Sequence, residues 1–169
     1  MKASTASTLC LALDDGFAIR DTPSHGRGLF ATRPLPKGQY ITRYDGTWVY
    51  IGKPLPSSVV KTHMARIPRT DYAIDGFALA NSLVTTGTAP NIWGRGANTP
   101  LSAGFGAIAN ASDGRDDLNA VAMYLDDDTP SRFIDLGVGA KGACFLVAKR
   151  DIAEGEEIRW HYLVTNAVF

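Results

Sequence analysis

Two closely spaced glycines, Gly26 and Gly28, are the first residues whose spacing could serve ligand chemistry. Together with Ala31 they match G-x-G-x-x-A, a fingerprint of dinucleotide-binding sites. That fingerprint must open a helix, but Pro34 and Pro36 follow at once and forbid a helix there. The glycines therefore predict a backbone segment that approaches a ligand closely and offers it bare N–H and C=O groups.

The cysteines and histidines give little support to disulfide or metal chemistry. Cys10 and Cys144 are too few for a disulfide framework, and neither has a C-x-x-C or C-x-x-H neighbour that would suggest a zinc site. His25, His63 and His161 show no ligand spacing among themselves. We therefore predict no metal site and interpret Cys144, which lies in an apolar run, as a small core residue.

One spacing pattern, A-x-R-x-[L/I]-x-x-G-x-x-I, occurs twice in the chain. Each residue of the second copy lies 117 positions after its counterpart in the first. The matched pairs are Ala31 and Ala148, Arg33 and Arg150, Leu35 and Ile152, Gly38 and Gly155, and Ile41 and Ile158. The pattern predicts two similar strand–turn–strand units in one domain. The alternative is a widespread hairpin pattern: an apolar strand end, a glycine where a positive φ is needed, then a β-branched residue.

The composition is that of one globular domain. The chain has 169 residues, of which 45% are hydrophobic and 20% charged, with 17 basic and 17 acidic side chains. With no net charge to attract a nucleic acid or an anionic membrane, a partner must be recognised by a local site. No apolar run approaches the roughly 18 residues that span a membrane, and the start lacks a signal-peptide core. We interpret the protein as intracellular, nuclear or cytoplasmic.

The apolar runs and turn residues predict a mainly β domain with short helices, because no segment shows a long 3.6-residue periodicity. Strands are predicted at residues 17–20, 39–44, 48–51, 72–75, 119–125, 132–136 and 143–148, and a short helix at 59–64. We interpret 1–16 as an N-terminal extension, 17–162 as the domain with a partly ordered insertion at about 77–103, and 163–169 as a tail. The acidic triplet 126–128 is either a solvated turn or a negatively charged segment that helps attract a basic peptide.

Four motifs follow one another in the chain: S-x-G-x-G-x-F-A from Ser24 to Ala31, Y-x-G from Tyr44 to Gly46, G-x-x-x-N-x-S from Gly106 to Ser112, and G-E-E-I-x-W-x-Y from Gly155 to Tyr162. Together and in this order, they resemble the SET domain of protein-lysine methyltransferases. The resemblance covers about residues 17–162. It implies a fold of several small β-sheets, with a C-terminal segment threaded beneath an earlier loop as a pseudoknot.

Three departures from the family pattern affect the expected activity. Ala111 stands where the family usually has a histidine, and Asp113 where it usually has a cysteine. Two extra residues precede Asn119, which the family usually places closer. The sequence given also stops seven residues after Tyr162, without a cysteine-rich zinc cluster to complete the substrate channel.

The resemblance also implies a cofactor, S-adenosylmethionine, and the residues that contact it. It would lie against the backbone of Gly26, Arg27 and Gly28 and against Asn110 and Ala111. The family's main histidine contact to the cofactor is through the backbone, so Ala111 need not abolish binding.

Tyr44, Trp160 and Tyr162 are the candidates for the substrate side of the site. Tyr44 and Trp160 would line an apolar channel that excludes water, and Tyr162 would be the catalytic residue that orients the amine. Trp160 and Tyr162 share a face because they lie two residues apart on a strand. The alternative is that both simply cover the core.

The leading hypothesis is a protein-lysine N-methyltransferase whose partner is a lysine-bearing protein or peptide, with histone tails as candidates. The bulk of Trp160 predicts mainly monomethylation. One alternative is a SET-like module that binds a peptide or cofactor with weak or no catalysis, which Ala111 favours. Another is a β-rich small-molecule enzyme whose glycine loop binds phosphate. No nucleic-acid or membrane partner is expected, and the oligomeric state is left open.

Overall fold

The computed structural model describes residues 10–13, 16–23, 26–51, 63–67, 70–86, 91–92, 101–102, 104–111, 117–124 and 144–161. Strands dominate these residues, with one α-helix and one 3₁₀ helix. The strands are β1 Cys10–Leu13, β2 Phe17–Thr22, β3 Gly26–Ala31, β4 Tyr40–Tyr44, β5 Thr47–Tyr50, β6 Met64–Arg66, β7 Tyr72–Asp75, β8 Asn91–Ile92, β9 Leu101–Ser102, β10 Asn110–Ala111, β11 Ala120–Tyr124, β12 Cys144–Ala148 and β13 Arg159–Trp160. Helix α1 spans Phe77–Thr86, and the 3₁₀ helix spans Gly106–Ile108.

The strands form several small sheets, which confirms the predicted fold class. Three have three strands each, in the orders β1-β2-β3, β11-β12-β4 and β5-β7-β6, and two are the pairs β8-β9 and β10-β13. Among the described strands, β10 and β13 alone pair in parallel. Residues 112–116, which follow β10, lie outside the described part, so the pseudoknot stays a prediction.

The glycine-rich segment is a strand and not the start of a helix, as the two prolines predicted. It forms β3, which pairs antiparallel with β2 from Phe17 opposite Ala31 to Thr22 opposite Gly26. Strand β1, within the predicted N-terminal extension, pairs with the other edge of β2.

The two copies of the repeated pattern contact each other directly. Leu35 and Ile152, which are counterparts in the two copies, exchange both backbone hydrogen bonds at 2.9 Å. Their side chains are buried at the same point of the core, each 1% exposed. The repeat is therefore not only a shared hairpin pattern, because equivalent residues of the two copies meet.

The contacts around this pair obey a local two-fold symmetry. The N–H of Gly38 donates to the carbonyl of Ala148, and the N–H of Gly155 donates to the carbonyl of Ala31, both at 2.8 Å. The two bonds are equivalent, because Gly38 and Gly155 are counterparts in the two copies, and so are Ala148 and Ala31. Gly38 and Gly155 have φ values of 80° and 83°, a left-handed conformation that favours glycine at both turns. Two further bonds follow the same rule, Ala148 N–H to Gln39 and Ala31 N–H to Glu156.

The main hydrophobic core lies between the sheets and the segment 152–160. Its largest fully buried side chains include Trp160, Tyr44, Ile19, Leu29, Leu35, Leu146, Ile152 and Ile158. Cys144 is 1% exposed and belongs to this core, which confirms its interpretation as a core residue. A smaller cluster around Phe145 and Val147 covers the opposite face of β12, so this central strand is buried on both sides.

Helix α1 lies in the region that the sequence indicated only as a partly ordered insertion. The Asp75 carboxylate accepts a hydrogen bond from the Phe77 N–H at 2.9 Å, which satisfies one free donor of the first turn. Ala80 is buried, and α1 contacts the 3₁₀ helix. Met64, the last residue of the short helix predicted at 59–64, lies instead in strand β6, because it pairs with Asp75 of β7.

Candidate functional site

The start of β3 offers an open stretch of backbone. Gly26 has φ 73°, is exposed, and has open space where a Cβ would stand. Arg27 is exposed as well, and its guanidinium lies 3.8 Å from the carboxylate of Asp21. A ligand could therefore lie along the Gly26–Arg27 backbone without displacing any side chain of the described residues.

Gly28 differs from Gly26, because side chains of other residues occupy the space beside its Cα. A Cβ at this buried position would stand 2.4 Å from Oε1 of Glu157 and 3.0 Å from Nδ2 of Asn110. Both distances are shorter than normal contacts. A side chain at position 28 would therefore displace the Glu157 carboxylate and press against the Asn110 amide.

Asn110 connects the glycine-rich strand with the C-terminal segment. Its Nδ2 donates to the carbonyl of Arg27 at 2.9 Å and to Oε1 of Glu157 at 2.8 Å. The residue begins β10, directly after the 3₁₀ helix. This predicted cofactor contact therefore lies beside the backbone of Arg27 and Gly28, which are predicted cofactor contacts too.

Glu157 is held on its other side by Arg159. The guanidinium donates from Nε at 2.9 Å and from a terminal nitrogen at 2.7 Å to Oε2 of the carboxylate. The Glu157 side chain is only 9% exposed, and that of Arg159 is 26% exposed. A carboxylate so little exposed needs such a partner, because the ion pair replaces hydrogen bonds that water would otherwise make. Asp117 adds a second carboxylate 3.8 Å from Arg159.

Asn119 fixes the same C-terminal segment from the side of the central sheet. Its Nδ2 donates to Oε1 of Glu156 at 3.0 Å and to the carbonyl of Glu157 at 2.7 Å. Its Oδ1 accepts the N–H of Arg159 at 2.8 Å. The residue is 1% exposed, so these bonds satisfy polar groups that water does not reach.

Glu156 forms a separate ion pair at the turn that precedes β13. Its carboxylate accepts hydrogen bonds from the Arg150 guanidinium and, at 3.0 Å, from the Ala153 N–H. The hydrogen bond from Arg150 is the main reason that the pKa of Glu156 is lowered to about 2. The carboxylate therefore stays charged at neutral pH and keeps the turn closed.

The parallel pair β10–β13 places two predicted cofactor contacts beside one predicted substrate contact, Trp160. Asn110 lies opposite Arg159, and Ala111 lies opposite Trp160. The backbone of Ala111 thus takes part in the ladder although the side chain is not the usual histidine. The two halves of the predicted site meet on neighbouring strands.

Tyr44 and Trp160 form a buried aromatic pair. Their ring centroids are 5.2 Å apart with the planes inclined by 64°, a T-shaped contact. Tyr44 is 0% and Trp160 1% exposed, and the Tyr44 hydroxyl donates to the carbonyl of His63. Both rings are core residues, which for Trp160 agrees with the alternative that it covers the core, and together they form a closed apolar wall.

Tyr162, the predicted catalytic residue, lies outside the described residues, as do Ser24 and Ser112 of the motifs. The sequence reasoning did not assign roles to Glu157, Arg159 or Asn119, which hold the site together. The sequence did contain a signal for the Glu157–Asn110 contact: Glu157 belongs to the G-E-E motif and Asn110 to the G-x-x-x-N motif, and a carboxylate and an amide are natural hydrogen-bond partners.

Two classes of site are not seen in the described part of the chain. No group of three or more His, Cys, Asp or Glu side chains there could hold a metal ion. None of the helices described is long and apolar enough to cross a membrane.

Comparison with known proteins gives one family. The SET domain family model matches residues 26–163. N-lysine methyltransferase KMT5A-A of the zebrafish Danio rerio is 44% identical over 39 residues, which are 23% of this chain and 11% of that protein. The chain's match thus spans about a tenth of that curated relative (11%).

The solved structure of a Plasmodium falciparum protein described as a "putative histone methyltransferase" aligns over 87% of this chain and 92% of that protein's chain. The sequence identity is 16% and the TM-score 0.49. Because the SET domain family model matches residues 26–163, far more than half of the chain, this protein belongs to the SET-domain family.

Proposed function

We propose that this protein is an S-adenosylmethionine-dependent protein-lysine N-methyltransferase. One observation carries the proposal: the parallel pair β10–β13 sets Asn110 and Ala111 directly beside Arg159 and Trp160. Residues expected to bind a methyl donor thus lie next to Trp160, which is expected to line a lysine channel. A methyl transfer needs these two groups side by side, because much of its rate comes from holding the reactants in line.

The residues present fit the cofactor. The open backbone at Gly26 and Arg27 can lie against a flat ligand, and the exposed Arg27 guanidinium can pair with a carboxylate. Asn110 offers a side-chain oxygen, since its nitrogen is occupied by Arg27 and Glu157. When bound, S-adenosylmethionine supplies an activated methyl group on a positively charged sulfur.

Tyr44 and Trp160 are both buried, so in this proposal they form the inner apolar wall of the lysine site and not an exposed lining. A lysine with a pKa near 10.4 is neutral in only about 1 of 2,500 molecules at pH 7, and only the neutral amine attacks a methyl group. An apolar wall such as Tyr44 and Trp160 lowers the amine pKa by desolvation. Tyr162, two residues after Trp160, would orient the amine through its hydroxyl.

The proposed substrate is a lysine-bearing protein or peptide, with histone tails as the candidates to try first, in the nucleus or the cytoplasm. Trp160 favours monomethylation, because a large ring in a packed wall leaves little room to rotate a methylated amine. No nucleic-acid contact is proposed, since basic and acidic residues balance at 17 each.

Ala111 motivates the second candidate, a SET-like module that binds a peptide or cofactor with weak or no catalysis. The side chain lacks the hydrogen-bonding and packing contribution of the usual histidine. The backbone of Ala111, however, keeps its place in the ladder opposite Trp160, which supports retained cofactor binding. The phosphate-binding alternative is disfavoured, because a strand and not a helix begins at Gly26.

Calorimetric titration with S-adenosylmethionine and S-adenosylhomocysteine, followed by radiolabelled methyl transfer to mixed histones and to a cell lysate, tests the proposal. We expect binding of both compounds and label on lysine. Tyr162→Phe should keep cofactor affinity within a few fold and lower turnover by roughly 10²-fold, the scale of a positioned catalytic group. Binding without transfer would favour the module, and binding of neither compound would refute both.

A further inference from the structure

Glu157 is the most buried acidic side chain at the site, and the proposed reaction assigns it no role. Its two oxygens are used differently: Oε1 accepts from Asn110 at 2.8 Å, and Oε2 accepts two bonds from Arg159 at 2.9 and 2.7 Å. The carboxylate also fills the space that the absent side chain of Gly28 leaves. Glu157 thus lies between the glycine-rich strand, β10 and β13.

The consequence concerns the orientation of the Asn110 amide. A terminal amide can be turned by 180°, exchanging its nitrogen and its oxygen. In the reversed orientation, Oδ1 of Asn110 would face two acceptors, the carbonyl of Arg27 and Oε1 of Glu157. Those two acceptors therefore fix the nitrogen towards Arg27 and Glu157. Oδ1 is left as the polar atom that Asn110 can offer to a ligand, and no described residue donates a hydrogen bond to it.

The charges around this amide favour a cationic donor. One guanidinium, that of Arg159, is surrounded by two carboxylates, those of Glu157 and Asp117. An acceptor oxygen beside a locally negative group binds an ammonium better than a neutral N–H. S-adenosylmethionine carries such an ammonium on its amino-acid portion.

We propose that Glu157 is a positioning residue of the cofactor site: together with Arg159, it holds the Asn110 amide so that Oδ1 is presented to the ammonium of the bound cofactor. This inference rests on the proposed function. Glu157 acts here through Asn110 and is not itself a catalytic residue.

Glu157→Gln is the informative change. Arg159 donates to one oxygen of the side chain, so the glutamine oxygen will face Arg159 and its nitrogen will face Asn110. Two NH₂ groups cannot bond each other, and Asn110 must turn its oxygen towards residue 157. We expect affinity for S-adenosylhomocysteine to fall about 10-fold, the scale of a hydrogen bond to a charged group. Affinity for methylthioadenosine, which lacks the amino-acid portion, should change by less than about 2-fold.

Glu156→Gln is the matched control, since it removes a neighbouring carboxylate that contacts Asn119 and Arg150 but not Asn110. Equal losses for both ligands in Glu157→Gln, or the same selective loss in Glu156→Gln, would overturn the inference. Should Glu157→Gln fail to fold, Arg159→Gln should give the same selectivity with a smaller loss of about 3-fold, because it loosens the Glu157 carboxylate but keeps the bond that Oε1 accepts from Asn110. A non-selective loss there would overturn the inference too.

A readout without ligand separates this inference from the proposed function. The Asn110 side-chain NH₂ signals in a ¹⁵N NMR spectrum, assigned by their absence in Asn110→Ala, should move in Glu157→Gln and stay in Glu156→Gln. Unchanged signals in Glu157→Gln, with normal cofactor binding by the wild type, refute the inference alone. A wild type that binds neither compound refutes the proposed function and, with it, the presentation of Oδ1.

Discussion

Asn119→Ala should destabilise the whole domain, although the residue lies on no predicted ligand contact. Its side chain makes three hydrogen bonds, to Oε1 of Glu156 at 3.0 Å, to the carbonyl of Glu157 at 2.7 Å and from the N–H of Arg159 at 2.8 Å. Alanine would remove the side-chain partner of the Glu157 carbonyl and of the Arg159 N–H. Asn119 is 1% exposed, so water cannot easily take its place. Each unsatisfied group costs about 1–3 kcal/mol, so the expected loss for the two groups is about 2–6 kcal/mol.

A loss of this size is a large part of the roughly 5–15 kcal/mol that stabilises a typical domain. For a chain of this length, it should lower Tm by about 10 °C. Urea unfolding followed by circular dichroism measures the free energy, and a thermal scan measures Tm. Glu154→Ala, at an exposed position of the same C-terminal segment, is the control and should change the free energy of unfolding by less than about 1 kcal/mol. A loss below about 1 kcal/mol in Asn119→Ala as well would refute the reasoning, because it would mean that the segment 156–159 is held by other contacts.

Three further changes test other parts of the structure. Gly28→Ala should lower stability by about 1–3 kcal/mol and weaken S-adenosylhomocysteine binding, because its Cβ would stand 2.4 Å from Glu157; wild-type values for both would contradict the packing described. Trp160→Phe should shift the product from mono- towards di- or trimethyl-lysine in mass spectrometry of a peptide, whereas mainly trimethyl-lysine from the wild type would place Trp160 outside the channel. The pKa of Glu156, lowered to about 2 by Arg150, contributes stability that is present above its unfolded value near 4.5 and is lost as the pH falls towards 2. Between about pH 5 and pH 2, the free energy of unfolding should therefore fall by about 1–2 kcal/mol less in Glu156→Gln than in the wild type, after solvent screening is allowed for. Identical pH dependence in the two proteins would show that the ion pair with Arg150 is not formed in solution.

Local residue patterns predicted the strands well where they were distinctive. The strand at 72–75 is found with the predicted bounds, and that at 143–148 begins one residue later, as Cys144–Ala148. The prolines correctly excluded a helix after Gly28. The buried state of Cys144 followed from its apolar neighbours.

Contacts between distant segments could not be predicted in the same way. The sequence shows that two copies of a pattern exist, but similarity does not say that Leu35 and Ile152 touch. Likewise, Asn110 and Glu157 are 47 residues apart, and only the fold brings their side chains together. Helix α1 could not be predicted from local residue types, because Asn, Ser and Thr, which are weak helix formers, are frequent within it. The capping residue Asp75 was the main sequence signal for its start.

The two-fold pairing of the repeats has a consequence for the order in which the protein folds. Leu35 is buried and exchanges two backbone hydrogen bonds with Ile152, its counterpart 117 residues later. Closing so long a loop has a large entropic cost before any bond forms, and such contacts slow folding. During synthesis, the Gly38 N–H therefore has no carbonyl of Ala148 to donate to until Ala148 has left the ribosome. The segment that completes the candidate site is thus also the one that completes the fold, so a chain stalled before it is synthesised has neither a finished core nor a finished site.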